Sequence, residues 1–170
     1  MEKRKIQIER IEKYFGFSDF INLKFPPTEL NDNIKGELIK AIGEAFDKVK
    51  PDCIILPDYN DAHSDHKYTF EAANACSKIF RRGYIKRILT MEIISETNFG
   101  MPQDVFKPNL YIDITDYFDK KAEALSIYDT EFGQMPFPRS IEAIKAQAVI
   151  RGTEAGVLYA EAFRVIKEIE

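Results

Sequence analysis

Residues 53–57, CIILP, form a run of strand length with no strongly polar side chain, and segments of helical period flank it on both sides. A continuous apolar run of this kind is what a strand covered on both faces requires. Before it, Ile34, Leu38, Ile42, Phe46 and Val49 recur at intervals of four, four, four and three, an amphipathic helix that Pro51 ends. After it, helical spacing returns from Tyr68 to Phe80 through Ala72, Ala73, Cys76 and Ile79. A buried strand set between two helices commits the chain to an α/β fold.

The rest of the chain extends that pattern. Ile8, Ile11 and Phe15 share one face of a helix from Lys3 to Phe15, and Phe20 to Phe25 reads as a short strand closed by Pro26 and Pro27. In IKRILTMEII, Leu89, Met91 and Ile93 alternate with Thr90 and Glu92, a further strand. NLYIDI gives another, and Thr115 reads as the N-cap of a helix running to about Tyr128. A helix from Ser140 to about Ala155 follows, and GVLYAEAFRVI fits either strand or helix. Strands alternating with crossover helices predict a mainly parallel, doubly wound, Rossmann-like sheet in a single domain covering residues 1–170.

Composition narrows the function classes. With 45% hydrophobic and 31% charged residues and a net charge of −4, the chain has no electrostatic grip on nucleic acid. Its densest basic cluster, FRRGYIKR at 80–87, reads as cations at a helix C-terminus with Gly83 as cap. Two cysteines, no signal peptide and no apolar run near the ~18 residues that span a bilayer point to a cytoplasmic protein.

Both histidines of the chain fall in one stretch, YNDAHSDHKYT at 59–69, directly after the CIILP strand. In open α/β sheets ligands bind outside the carboxyl ends of the strands, which is where this loop lies. A solvated turn built from Asn60, Asp61 and Ser64 is the plain alternative. His63 and His66 interleaved with aspartates favour a divalent metal site, since neutral imidazole is a good zinc ligand and carboxylates ligate or orient it. A catalytic zinc usually takes three protein ligands, and no third histidine exists. Remaining ligands must be carboxylates, Asp58 or Asp61 among them, or come from outside these residues. The sequence has no H-E-x-x-H, Cys-x-x-Cys, G-x-S-x-G or phosphate-binding glycine loop.

PDYNDAHSDH, FKPNLYIDITDYFDKKAEAL and RGTEAGVLYAEAF, in that order, resemble the LmbE/PIG-L family of zinc-dependent sugar N-deacetylases. The resemblance implies that His66 is a zinc ligand. It implies that His63 faces the substrate, stabilising the tetrahedral oxyanion or assisting proton transfer. Asp65 would hydrogen-bond a histidine and fix its tautomer. The family's Ala-His-Pro-Asp-Asp-Glu loop, source of the other ligands and the general base, has no counterpart here, and IYDTEFG stands where many relatives carry His-x-Ser-Gln. About two strands and the helix between them are missing from the family fold.

The resemblance therefore implies the C-terminal portion of a hydrolase that removes the acetyl group from an N-acetylglucosamine-type sugar or conjugate. On its own this portion is expected to be inactive. The alternative is a non-catalytic sugar- or partner-binding module with a vestigial metal loop. Unpaired strand edges would favour a homo-oligomer.

Overall fold

The structure, a computed structural model, describes residues 2–170. In chain order its helices and strands are α1 (Glu2–Phe15), α2 (Lys35–Val49), β1 (Cys53–Pro57), α3 (Ser64–Cys76), β2 (Arg87–Met91), β3 (Leu110–Asp113), α4 (Phe118–Ser126), α5 (Ile141–Ala155) and β4 (Ala160–Glu168). The strands form one sheet in the order β1-β2-β4-β3. β1 and β2 run parallel with Ile54 opposite Ile88, while β4 runs antiparallel to β2 with Phe163 opposite Met91. The α/β class holds, and the sheet is mixed.

The chain groups into two compact units, one from the segments up to Asn22 and Ile112–Glu161, the other from Leu23–Tyr111 and Ala162–Glu170. In the second, α2 and α3 cover one face of β1. Leu38 and Ile42 of α2, Ile54 and Leu56 of β1, and Ala72, Ala73 and Cys76 of α3 make its core with Ile85 and Ile88. The four-residue spacing of α2 produces this packing, and a left-handed Lys50 ends the helix before Pro51. Arg82 joins the two helices from outside. Its guanidinium forks onto Asp47 at 2.7 and 2.8 Å and donates to the carbonyls of Cys76 and Gly43. The basic cluster thus holds a helix end as expected, without Gly83 as a left-handed cap, because α3 stops at Cys76.

In the first unit, Gln7 is buried and donates to Asp129, and Lys3 pairs with the same carboxylate. Tyr159 stacks on Phe118 at 4.5 Å. α5 forms where the sequence predicts a helix, and Ser140 caps it: its hydroxyl accepts from the Ala143 N–H. Gly152 lies against the chain that leaves this helix: a Cβ there would stand 2.6 Å from the Leu158 carbonyl oxygen.

Three expectations need correction. Phe20 to Phe25 is not a strand. Lys24 takes a left-handed backbone with φ of 60°, which breaks the extended run, and Pro26 and Pro27 deny donors to a ladder. Thr115 does not cap α4; it opens a short 3-10 turn, and its hydroxyl accepts from the Tyr159 N–H at 3.4 Å. β1 is covered on one face only. Ile54 and Leu56 are buried, whereas Cys53 is exposed and Ile55 keeps 49% of its surface.

β1 also ends the sheet, so its outer backbone edge has no partner strand among the described residues. An apolar edge of this kind templates pairing with another chain. Light scattering is expected to show concentration-dependent self-association of the chain, and Ile55→Lys to reduce it. It should leave stability within about 0.5 kcal/mol, because the side chain is already exposed. Unchanged association in the variant would place the contact elsewhere.

Candidate functional site

The chain leaves β1 at Pro57 and enters α3 at Ser64, so the intervening loop stands at the carboxyl end of a parallel strand. Its first residue, Asp58, is completely buried, and Asp61 is 2% exposed. Two carboxylates this deep need partners, because an unpaired buried charge is expensive. Each has them.

Asp58 accepts from the Thr90 hydroxyl at 2.7 Å and the Asn60 N–H at 3.1 Å, and the Arg164 guanidinium lies 3.7 Å away. Arg164 comes from β4. It donates to the Tyr59 hydroxyl and to the Val105 carbonyl, and lies over the rings of Tyr59 and Phe106 at 5.0 and 5.2 Å. Its charge lies 3.9 Å from Asp104. A hydrogen bond with Asp104, and then burial, pushes the Tyr59 phenol above its ordinary value. Strand ends β1, β2 and β4 are thereby tied into one polar knot beneath the loop.

Asn60 holds the outer side. Its amide donates to the carbonyls of Met101 and Asp104 at 2.9 and 2.8 Å, and its side-chain oxygen accepts from the Met101 N–H. Gly100 permits this contact, since a Cβ there would stand 2.1 Å from the Asn60 carbonyl oxygen.

The histidines sit where the loop becomes helix. His63 is the N-cap of α3, and its Nδ1 accepts from the Asp65 N–H at 3.1 Å. His66 lies one turn on, with Nδ1 2.8 Å from the Asp61 carboxylate. The two rings stack with centroids 5.0 Å apart and planes 19° from parallel, both half-buried. The Asp65 side chain is engaged elsewhere: it accepts from the backbone N–H groups of Thr28 at 2.6 Å and Leu30 at 3.2 Å. Asp65 therefore meets a histidine through its backbone, and the carboxylate on an imidazole is that of Asp61.

Among the described residues, no group of three or more His, Cys, Asp and Glu side chains is placed to hold a metal ion. Asp61 and Asp65 are each committed to other bonds, which leaves His66 as a single candidate ligand where a catalytic zinc takes three. These residues do not by themselves fit a zinc ion. Zinc could be held here only with ligands from outside them.

Fold and loop together define an α/β protein with a histidine–aspartate site at a strand's carboxyl end. Residues 1–77, which include that site, match the family model PIG-L, described as GlcNAc-PI de-N-acetylase, so the family resemblance read from the sequence is borne out over this segment. The chain is 25% identical over 176 residues to the diacetylchitobiose deacetylase of Thermococcus kodakarensis, covering 99% of this chain and 62% of that protein. It thus spans under two-thirds of that curated relative's length.

Several solved structures share the fold. The conserved protein TT1542 of Thermus thermophilus superposes with a TM-score of 0.78 at 22% identity, over 99% of this chain and 75% of that one. The 4-carboxy-2-hydroxymuconate hydratase GalB of Pseudomonas putida gives 0.71 at 16% identity, over 99% and 73%.

Thr90, Thr97 and Arg164 carry no assigned role in the sequence reading, and Asp58 enters it only as a possible metal ligand, whereas its carboxylate is taken up by Thr90, Asn60 and Arg164. Thr90 sits in an alternation that sends it to solvent, yet it is fully buried and hydrogen-bonded. Arg164 lies in a segment whose type the sequence leaves open. A threonine directly after the apolar pair Ile88 and Leu89 in a strand is the one available signal.

Proposed function

We propose that this chain is part of an N-deacetylase that hydrolyses the acetamide of an N-acetylglucosamine-type sugar or conjugate. The observation that carries this reading is the PIG-L match, which contains the loop with His63, Asp65 and His66 at the carboxyl end of β1. In the reaction, water adds to the acetamide carbonyl, the carbon–nitrogen bond breaks, and acetate and a free amine leave. His63 would face the carbonyl and stabilise the oxyanion or pass a proton, and His66 would serve as a metal ligand. The remaining ligands and the general base would be supplied from outside these 170 residues.

A second reading has a specific observation in its favour. The described residues include no complete metal-holding group, which suits a non-catalytic sugar- or partner-binding module. The fold also carries other chemistry, as the hydratase neighbour illustrates.

One assay separates the readings. The chain is incubated with zinc and an N-acetylglucosamine conjugate, alone and joined to an N-terminal segment bearing Ala-His-Pro-Asp-Asp-Glu, and released acetate is measured. No acetate from the chain alone and zinc-dependent release from the joined protein is the expected result. A folded joined protein that binds zinc and releases none would leave the binding module. Release by the chain alone would mean that its own carboxylates complete the site.

A further inference from the structure

We infer that Asp61 is a positioning residue that fixes His66 in its Nδ1–H tautomer while the Asp65 backbone fixes His63 in the opposite one. The paired rings then present one free lone pair, on His66 Nε2, and one free N–H, on His63 Nε2. The assignment follows from groups that can only donate. A backbone N–H has no lone pair to offer, so the Asp65 N–H makes His63 Nδ1 an acceptor and moves its ring proton to Nε2.

The same logic runs through a longer chain at His66. The Ile93 N–H donates to the Thr97 hydroxyl oxygen at 2.8 Å, which directs the single hydroxyl proton onward to Asp61 Oδ1 at 2.7 Å. Asp61 Oδ2 is then left to accept from His66 Nδ1 at 2.8 Å. Asp61 is 2% exposed, so no solvent competes for that contact, and its own N–H is bonded to the Asp58 carbonyl at 3.2 Å. The loop can neither slide nor rotate without breaking a buried bond.

Opposite tautomers on stacked rings 5.0 Å apart have a chemical consequence. A lone pair can bind a Lewis acid or take a proton, and an N–H can donate to a developing oxyanion. Two rings in the same tautomer would duplicate one function and lose the other. What these atoms act on rests on the deacetylase reading; the tautomers themselves do not.

The test is a long-range proton–nitrogen NMR spectrum of the full chain, nitrogen-labelled at histidine, at pH about 8.5, above the ordinary imidazole value of about 6.5. His66 is expected to show its proton on Nδ1 and His63 on Nε2. Asp61→Ala should move His66 from essentially all Nδ1–H to a mixture dominated by Nε2–H, leaving His63 unchanged. Thr97→Val removes the other bond to Asp61 and should leave His66 as Nδ1–H, which separates orientation from general loosening. An Nε2–H signal from His66 in the unaltered chain overturns the inference. So does a folded Asp61→Ala protein that keeps Nδ1–H. If Asp61→Ala does not fold, the spectrum of the unaltered chain decides.

Discussion

In a deacetylase whose site is complete, His63→Ala is expected to lower kcat by about 10²–10⁴-fold while KM changes by no more than a few-fold. The expectation follows from where the ring stands. His63 caps α3, and its Nδ1 is occupied by the Asp65 N–H, so its remaining nitrogen is a held donor. A donor aimed at charge that develops only in the transition state contributes to turnover and little to ground-state binding. His66→Ala should instead abolish zinc retention together with activity, since the resemblance makes His66 alone of the pair a ligand. The measurements are steady-state kinetics and zinc content on both variants of the joined protein. Equal zinc loss from both would refute the division of roles, and so would a His63→Ala effect confined to KM.

The second large effect concerns stability. Asp58→Ala should destabilise the chain by about 3 kcal/mol, the low end for breaking a buried ion pair. It strips the Thr90 hydroxyl of its acceptor in a completely buried position and leaves Arg164, with a side chain 12% exposed, facing no carboxylate except the more exposed Asp104. Asp58→Asn keeps the volume and one acceptor, so it should cost less. In a thermal melt about 3 kcal/mol corresponds to a fall in Tm of roughly 6–12 °C for a chain of this size. Equal melting temperatures for Asp58→Ala and the unaltered chain would show that the polar knot is incidental.

How much of this is legible in the sequence depends on the range of the interactions. The α2 spacing and the CIILP run report packing within a few residues of each position, and both elements form where expected. The helix that begins at Ser140 is equally local. The histidine loop is legible because two rare residues fall together after a strand. The partners of those histidines are not. Asp61 and Asp65 are both aspartates two residues or fewer from His63, and nothing local tells which carboxylate turns toward a ring and which reaches back to Thr28. That choice is made by Thr97, which is 36 residues from Asp61. β4 is ambiguous for a similar reason: its strand state is set by pairing with β2, residues 160–168 against 87–91.

The link from Arg164 to Tyr59 closes a separation of 105 residues. Contacts that far apart form late, because the entropy of closing the intervening loop must be met before they contribute. The strand–helix core of β1, α2 and α3 can gather from nearby residues early in synthesis. The polar knot under the histidine loop must wait for the closing strand to arrive. A nascent chain would thus carry both histidines well before Arg164, 105 residues after Tyr59, could anchor the loop beneath them.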